Sequence, residues 1–221
     1  MKWPDDFMNK IICGDCLEVM REMPDNCVDL VLTSPPYPGN NKMWGELFRG
    51  ENCVQAHNFL STVWEECVRV LKNGCKLTIN IANTKRRPYI PNTFHIYKCL
   101  LPIVEPLGEI IWSKGYGQLG TRHKEPGYKI NARDFKSWRN SIWNIAPEKA
   151  TKIGHVAPFP ETIPNRLIQL YSYKNEIILD PFLGSGTTTR VAKDLKRNFI
   201  GIEINPEYCK IAEERLAQGV L

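Results

Sequence analysis

Short apolar runs alternate with segments of helical period along almost the whole chain, and this alternation limits the fold more than any other feature. The runs are "KIICGDC", "VDLVLTSPPY", "CKLTINIAN", "GEIIWSK", "EIILDPFLGSG" and "NFIGIEI". The first two are continuous rather than alternating, as strands are when helices cover both faces of a parallel sheet. Between the first two, "GDCLEVMREMPDN" carries Leu17, Met20 and Met23 on one side of a short helix. "FLSTVWEECVRVLKNG" places Leu60, Val63, Trp64, Cys67, Val68 and Leu71 at helical spacing, with Asn73-Gly74 as its expected stop. Further helices are expected near 93–105, over "PETIPNRLIQLYS" and over "TTTRVAKDLK". Asn205 as cap, Pro206 at the first helical position and Glu207 in the first turn announce the last one, striped by Ile211, Ala212 and Leu216. Strand-helix alternation of this kind predicts an α/β doubly wound sheet, in which ligands sit beyond the carboxyl ends of the strands.

A chain of 221 residues is expected to form one domain with a modest insertion. No apolar run approaches the roughly 18 residues that span a membrane. The opening "MKWPDDFMNK" lacks the hydrophobic core of a signal peptide, so a cytoplasmic protein with no membrane partner is expected. The net charge of +5 permits a polyanionic partner without demanding one. Of the eight cysteines, Cys13 and Cys16 form a CxxC, but no second pair is spaced to complete a zinc site. The cysteines are read as small buried hydrophobes in a reducing compartment, and no metal is expected. His123 and His155 are isolated and are assigned to no metal.

The segment from about 114 to 150 changes character. Lys114, Arg122, Lys124, Lys129, Arg133, Lys136 and Arg139 are interleaved with Tyr116, Tyr128, Phe135 and Trp138, and acidic residues are few. It reads as an insertion rather than a core layer. Its basic side chains suit phosphates and base edges, which makes Arg122, Lys124, Lys129, Arg133 and Arg139 candidate DNA-binding residues.

Two loops carry the chemistry. "DPFLGSGTTT" follows a strand and opens a helix, and Glu203 closes the next strand about 20 residues on, where a carboxylate can accept from two ribose hydroxyls. The third glycine of the dinucleotide fingerprint is absent and there is no P-loop lysine, so adenosine fits better than a pyrophosphate. "TSPPY" ends the other strand. Pro35 and Pro36 have no N–H, so the Ser34 and Pro35 carbonyls are left as acceptors beside the Ser34 hydroxyl. Tyr37 offers a flat face. Together they suit a planar ring bearing an exocyclic amino group.

With both loops in view, the chain resembles the beta-class DNA amino-methyltransferases that use S-adenosylmethionine. "GDCLEVM", "TSPPY", "RVLKNGCKLTIN", "HVAPFPETIPNRLIQLYS", "DPFLGSGTTTRVA" and "NFIGIEINPEYCKIAEERL" follow that family's pattern in order, with the catalytic motif ahead of the glycine loop. The resemblance implies a Rossmann-like, mixed seven-stranded sheet with helices on both faces, in permuted order. It implies Ser34, Pro35, Pro36 and Tyr37 as the catalytic turn. It also implies Asp180, Phe182, Gly184, Ser185, Gly186 and Thr187 around the cofactor, Glu203 on the ribose, Asp15 near the adenine, and Phe159 and Pro160 closing the far side. In that family, serine in a TSPPY setting and a segment like "HVAPFP" go with cytosine N4 more than adenine N6, which stays the alternative. A protein amide, an RNA base, or a DNA-binding subunit without catalysis are more distant readings. Carbon-5 methylation needs a thiolate in a Pro-Cys setting, and no cysteine here follows a proline. The implied partner is double-stranded DNA, from which the base must be flipped. The insertion is short for a whole recognition module, which points to a homodimer or a short target site. A cognate restriction endonuclease acting on the same site is the other partner the resemblance admits.

Overall fold

The computed structural model describes residues 1–38, 53–83, 90–113, 142–145 and 159–218. Five strands form one sheet: β1 (Lys10–Cys13), β2 (Val28–Thr33), β3 (Leu71–Ile79), β6 (Ile177–Asp180) and β7 (Asn198–Glu203), in the order β1-β7-β6-β2-β3. β4 (Ile111–Ser113) and β5 (Ile142–Asn144) make a separate pair. The α/β class and the strands expected from the sequence are therefore present. The seven described strands divide five and two, and every registered pair is parallel. Among the described residues the helices are α1 (Cys16–Arg21), α2 (Cys53–Val70), α3 (Asn92–Leu100), α4 (Thr162–Tyr171), α5 (Thr187–Asp194) and α6 (Pro206–Ala217). None of them is long and apolar enough to cross a membrane.

All six residues of β2 and all four of β6 are buried, which is why these segments read as mainly apolar runs, with Asp29, Thr33 and Asp180 as their buried polar members. Successive side chains point to opposite faces and feed two separate cores. Val31, Leu179 and Ile200 enter the core packed by α1 and α2, beside Met20, Leu60, Val63 and Trp64. Leu30, Leu32, Ile178 and Phe199 enter the other, with Ile163, Leu167 and Ile168 of α4 and Val191 of α5. Each such side chain contributes roughly 1.5–3 kcal/mol by leaving water. Cys16, Cys27 and Cys67 lie in the first core as small hydrophobes, whereas Cys13 is exposed. Burial pushes the Cys16 thiol up to about 12.

Two boundaries differ from the sequence reading. Asn73-Gly74 does not stop a helix: α2 ends at Val70, and both residues lie inside β3. Leu71 pairs with Val28, then Lys76 with Leu30, so residues between them bulge from the ladder, with Gly74 at φ 79°. Asp29 fills this irregularity, accepting Lys72 Nζ at 2.8 Å and the Ile177 amide at 2.9 Å. The helix expected near 93–105 ends at Leu100: Leu101 still has helical φ and ψ, but Pro102 has no N–H to extend the ladder.

From β2 the chain steps outward to β3, and from β6 it steps the other way to β7. The topological switch point thus lies between β2 and β6, with the TSPPY turn on one side and the glycine loop on the other. α6 closes the back of that loop. A Cβ on Gly186 would sit 2.8 Å from Ala212 Cβ and 3.0 Å from its Cα, and Gly186 also has φ 80°. Gly186→Ala is expected to lower the unfolding free energy by roughly 1–3 kcal/mol, through overpacking and left-handed strain. Urea denaturation measures it, and a variant as stable as the parent would contradict this packing.

Candidate active site

Five neighbouring strand ends line one edge of the sheet, and each delivers a residue to it: Asp15 after β1, Glu203 from β7, the loop from Asp180 to Gly186 after β6, Ser34 to Tyr37 after β2, and Asn80 after β3. The two chemically unusual loops of the sequence are joined by one buried carboxylate. Thr33, the residue before Ser34, donates to Asp180 Oδ1 at 2.7 Å across 147 residues of chain. Thr188 of α5 donates to Asp180 Oδ2 at 2.6 Å, and the Phe182 amide reaches Oδ1 at 3.1 Å. The carboxylate is thereby spent inside the fold and fixes the geometry of both turns.

Burial raises the Asp180 pKa to about 6, held from going higher by the bonds from Thr188, Thr33 and the Phe182 amide. The folded protein therefore holds this proton more tightly than the unfolded chain does. Below the ordinary carboxyl value both states are protonated. As pH rises from there to about 6, only the unfolded chain ionises and stability falls; above about 6 the penalty is constant.

The side of the glycine loop is rich in acceptors. Glu203 accepts the Gly184 amide on Oε2 and the Asn205 amide on Oε1, each at 2.8 Å, so its carboxylate is rigid yet half-exposed. Asp15 caps α1, taking the Leu17 and Glu18 amides on Oδ1 at 2.8 and 3.1 Å. Cys13 and Glu203 are register partners, so the two acids stand on adjacent strand ends. Rigid carboxylates beside a glycine turn fit the donors of a ribose, an adenine amino group and a cationic sulfonium. Phe182 is braced edge-on by Trp64, with ring centroids 6.4 Å apart. Ser185, Gly186 and Thr187 are buried in the loop, and Pro160 is buried beside half-buried Phe159 ahead of α4. Arg122, Lys124, Lys129, Arg133, Arg139, His123 and His155 lie outside the described residues.

On the side of the TSPPY turn, Ser34 Oγ donates to the Asn80 carbonyl at 3.1 Å and receives Asn80 Nδ2 at 3.3 Å. The Tyr37 hydroxyl is 3.5 Å from the same oxygen, and burial pushes its phenol above the ordinary value, so it stays protonated. Among the described residues neither the Ser34 nor the Pro35 carbonyl accepts a hydrogen bond.

Two site residues escaped the sequence reading. Asn80 is the first, and a polar side chain directly after an apolar strand of a doubly wound sheet was its signal. Arg215 is the second. It is buried on α6 and donates to the Ser185 carbonyl at 2.7 Å, Ser185 Oγ at 3.1 Å, Thr187 Oγ1 at 3.2 Å and Glu161 Oε1 at 3.0 Å. Its place beside the stripe of Ile211 and Ala212 was the legible hint. It ties the glycine loop to the residue after Pro160.

A doubly wound sheet with a glycine loop, two rigid carboxylates and a donor-poor proline turn at its switch point has the acceptors to hold a nucleoside and an amino group, and comparison with known proteins gives its family. The DNA methylase family profile matches residues 115–214. The Type II methyltransferase M.MjaI of Methanocaldococcus jannaschii is 33% identical over 94% of this chain and 91% of its own. M.HinfI of Haemophilus influenzae is 28% identical over 97% and 70%. A Thermus thermophilus structure described as a DNA modification methylase, solved with S-adenosyl-L-methionine, superposes with a TM-score of 0.75 at 27% identity, covering 95% of each chain. The PvuII cytosine-N4-specific DNA methyltransferase, at 18% identity and a TM-score of 0.68, shares the fold. The chain belongs to the N6/N4 DNA methylase family. It is a Type II DNA methyltransferase whose cofactor is S-adenosylmethionine.

Asp180→Asn, which cannot titrate, is expected to flatten stability between about pH 4 and 6 relative to the parent. Unfolding free energies at both ends of that window test it; parallel pH profiles for the two proteins would refute the clamp.

Proposed function

We propose that the enzyme methylates the exocyclic N4 of a cytosine flipped out of double-stranded DNA. The observation that carries this is the position of Ser34: an accepting hydroxyl, flanked by two carbonyls without partners among the described residues, one turn from the cofactor loop at the switch point. Serine within TSPPY and the "HVAPFP" segment favour cytosine. Adenine N6 is the second reading, because these acceptors meet any conjugated amino group.

The proposed catalytic residues are Ser34, Pro35, Pro36 and Tyr37. Ser34 Oγ and the Pro35 carbonyl accept the two amino hydrogens and favour a pyramidal nitrogen whose lone pair points across the switch point. Tyr37 stacks on the ring and offsets part of the few kcal/mol that flipping costs. S-adenosylmethionine, when bound, supplies a sulfonium methyl: the nitrogen–carbon bond forms as the carbon–sulfur bond breaks, and the thioether leaves with the bond's electron pair. Reacting atoms held roughly 3 Å apart make this an in-line displacement. The methylated amino cation then loses its proton to water, so no strong base is needed. Asp180 is unavailable for that role in any case, since both its oxygens are occupied.

We assign Glu203 to the ribose, Asp15 to the adenine side, and Phe182, Gly184, Ser185, Gly186, Thr187, Phe159 and Pro160 to the walls of the cofactor site. Asp180 stands behind them as a fixing residue. The whole chain, 1–221, serves as one methyltransferase domain in the cytoplasm, with residues about 114–150 as its target-recognition insertion, except that Ile142–Asn144 form β5 and Trp143 and Ile145 belong to the second core. The exposed apolar side chains of Phe94 and Tyr97 on α3 and of Leu101 at its end support a homodimer. The Type II names of the relatives support a cognate endonuclease acting on the same site.

Nucleoside mass spectrometry of DNA incubated with the protein and S-adenosylmethionine is expected to show N4-methylcytosine; N6-methyladenine would sink the cytosine assignment. Tyr37→Ala is expected to slow turnover by removing a stacking face worth about 1–3 kcal/mol, and Ser34→Ala to slow it by removing an acceptor. Unchanged rates in both would overturn these roles. Neutralising Arg122, Lys124 and Lys129 together should lower DNA affinity and reduce the salt slope by up to about three. An unaltered slope would return the insertion to ordinary surface.

A further inference from the structure

Asn80 holds Ser34 from two sides. Its main-chain carbonyl takes the single proton of the serine hydroxyl, and its side-chain amide approaches the same oxygen at 3.3 Å. With that proton spent, the serine oxygen can only accept, so the side-chain atom facing it has to be the amide nitrogen; an amide oxygen there would confront a lone pair. This bonding pattern therefore fixes the orientation of the amide. The Asn80 main-chain amide is itself tied to the Thr33 carbonyl at 2.8 Å, which places the residue firmly beside the turn. Asn80 is half-exposed, and the second hydrogen on its Nδ2 has no partner among the described residues. At the mouth of the crevice an acceptor, Ser34 Oγ, thus stands next to a donor, Asn80 Nδ2.

We infer that Asn80 is a specificity-determining residue that reads the flipped base together with Ser34. Ser34 Oγ accepts from the exocyclic amino group, and the remaining Asn80 Nδ2 hydrogen donates to the ring nitrogen beside the amino-bearing carbon. This rests on the amino-methyltransferase reading above and names how that site selects its substrate. Cytosine and adenine both present an amino donor next to an unprotonated ring nitrogen on the Watson–Crick edge. Thymine and guanine present the reverse, a carbonyl oxygen next to a ring N–H, and would set acceptor against acceptor and donor against donor. The pair admits the two amino bases and rejects the two keto bases before any methyl is moved. A site whose polar groups are left unpaired by the wrong ligand discriminates more strongly than one that merely lacks a contact.

The test is single-turnover methylation by the full chain on duplexes carrying the target site, mapped first by sequencing modified bases. The target is cytosine or 3-deazacytosine, in which C–H replaces the ring nitrogen; if the mapped target is adenine, 1-deazaadenine takes its place. The parent enzyme is expected to slow about tenfold on the deaza base, a loss in the range of one hydrogen bond. Asn80→Ala is expected to slow about tenfold on the natural base and to treat the two bases alike within about twofold. Its S-adenosylmethionine affinity by calorimetry and its thermal midpoint should match the parent, which separates edge reading from a structural role. A parent enzyme indifferent to the deaza base overturns the inference, and that arm needs no variant to fold. So does an Asn80→Ala enzyme that keeps the parent's sensitivity. Parent enzyme that yields no methylated nucleoside on natural DNA would instead sink the functional reading itself.

Discussion

A single buried carboxylate holds the site together. Asp180 ends β6 with no access to water, yet it takes hydrogen bonds from Thr33, Thr188 and the Phe182 amide. Its desolvation is costly, as its raised pKa reports. That cost is offset only if all three donors stay in place, which makes the clamp discriminating: a shift of either loop would strand a buried charge. Thr33 is covalently next to Ser34, and Phe182 is two residues from Gly184. The carboxylate thus sets the distance between the turn we propose faces the base and the loop we propose faces the methyl donor, at the switch point where the sheet topology opens a crevice.

Around this clamp the remaining parts are arranged as second supports rather than as separate sites. Glu203 holds the glycine loop from the front through the Gly184 amide, and Arg215 holds it from behind through Ser185 and Thr187. Ala212 presses so closely on Gly186 that a side chain has no room there. Arg215 then reaches Glu161, so the segment of Phe159 and Pro160 is fixed relative to the loop it faces. Rigid placement of this kind suits a reaction whose barrier is lowered by orientation rather than by a strong base.

The frame was legible because parallel strands covered on both faces leave a plain mark: VDLVLT is apolar at four of six positions and IILD at three of four, and the structure buries every residue of both. The capped start of α6 was equally plain, with Asn205 accepting the Glu207 amide at 2.9 Å and Pro206 at its first position. The Asn73-Gly74 pair was misleading, because the same dipeptide suits a helix end and a bulge with positive φ; only the pairing of Leu71 with Val28 decides between them. Asn80 and Arg215 were not legible in their roles. Their partners are distant in sequence, 46 and 30 residues away for Ser34 and Ser185, and such pairings follow from strand order rather than from local pattern. Asp180 reads as part of the glycine-loop motif, but its direct bond to Thr33 at the end of β2 belongs to the three-dimensional arrangement alone.

The central claim is that the Asp180 clamp sets a base-facing hydroxyl and a methyl-facing loop at reacting distance. A crystal structure with a non-transferable S-adenosylmethionine analogue measures this directly. Reacting atoms lie about 3 Å apart and a hydrogen bond to the amino nitrogen adds about 3 Å more. Ser34 Oγ is therefore predicted within about 6 Å of the analogue's methyl-equivalent atom, with Thr33 and Thr188 still bound to Asp180. A separation beyond about 10 Å with that clamp intact would contradict the account.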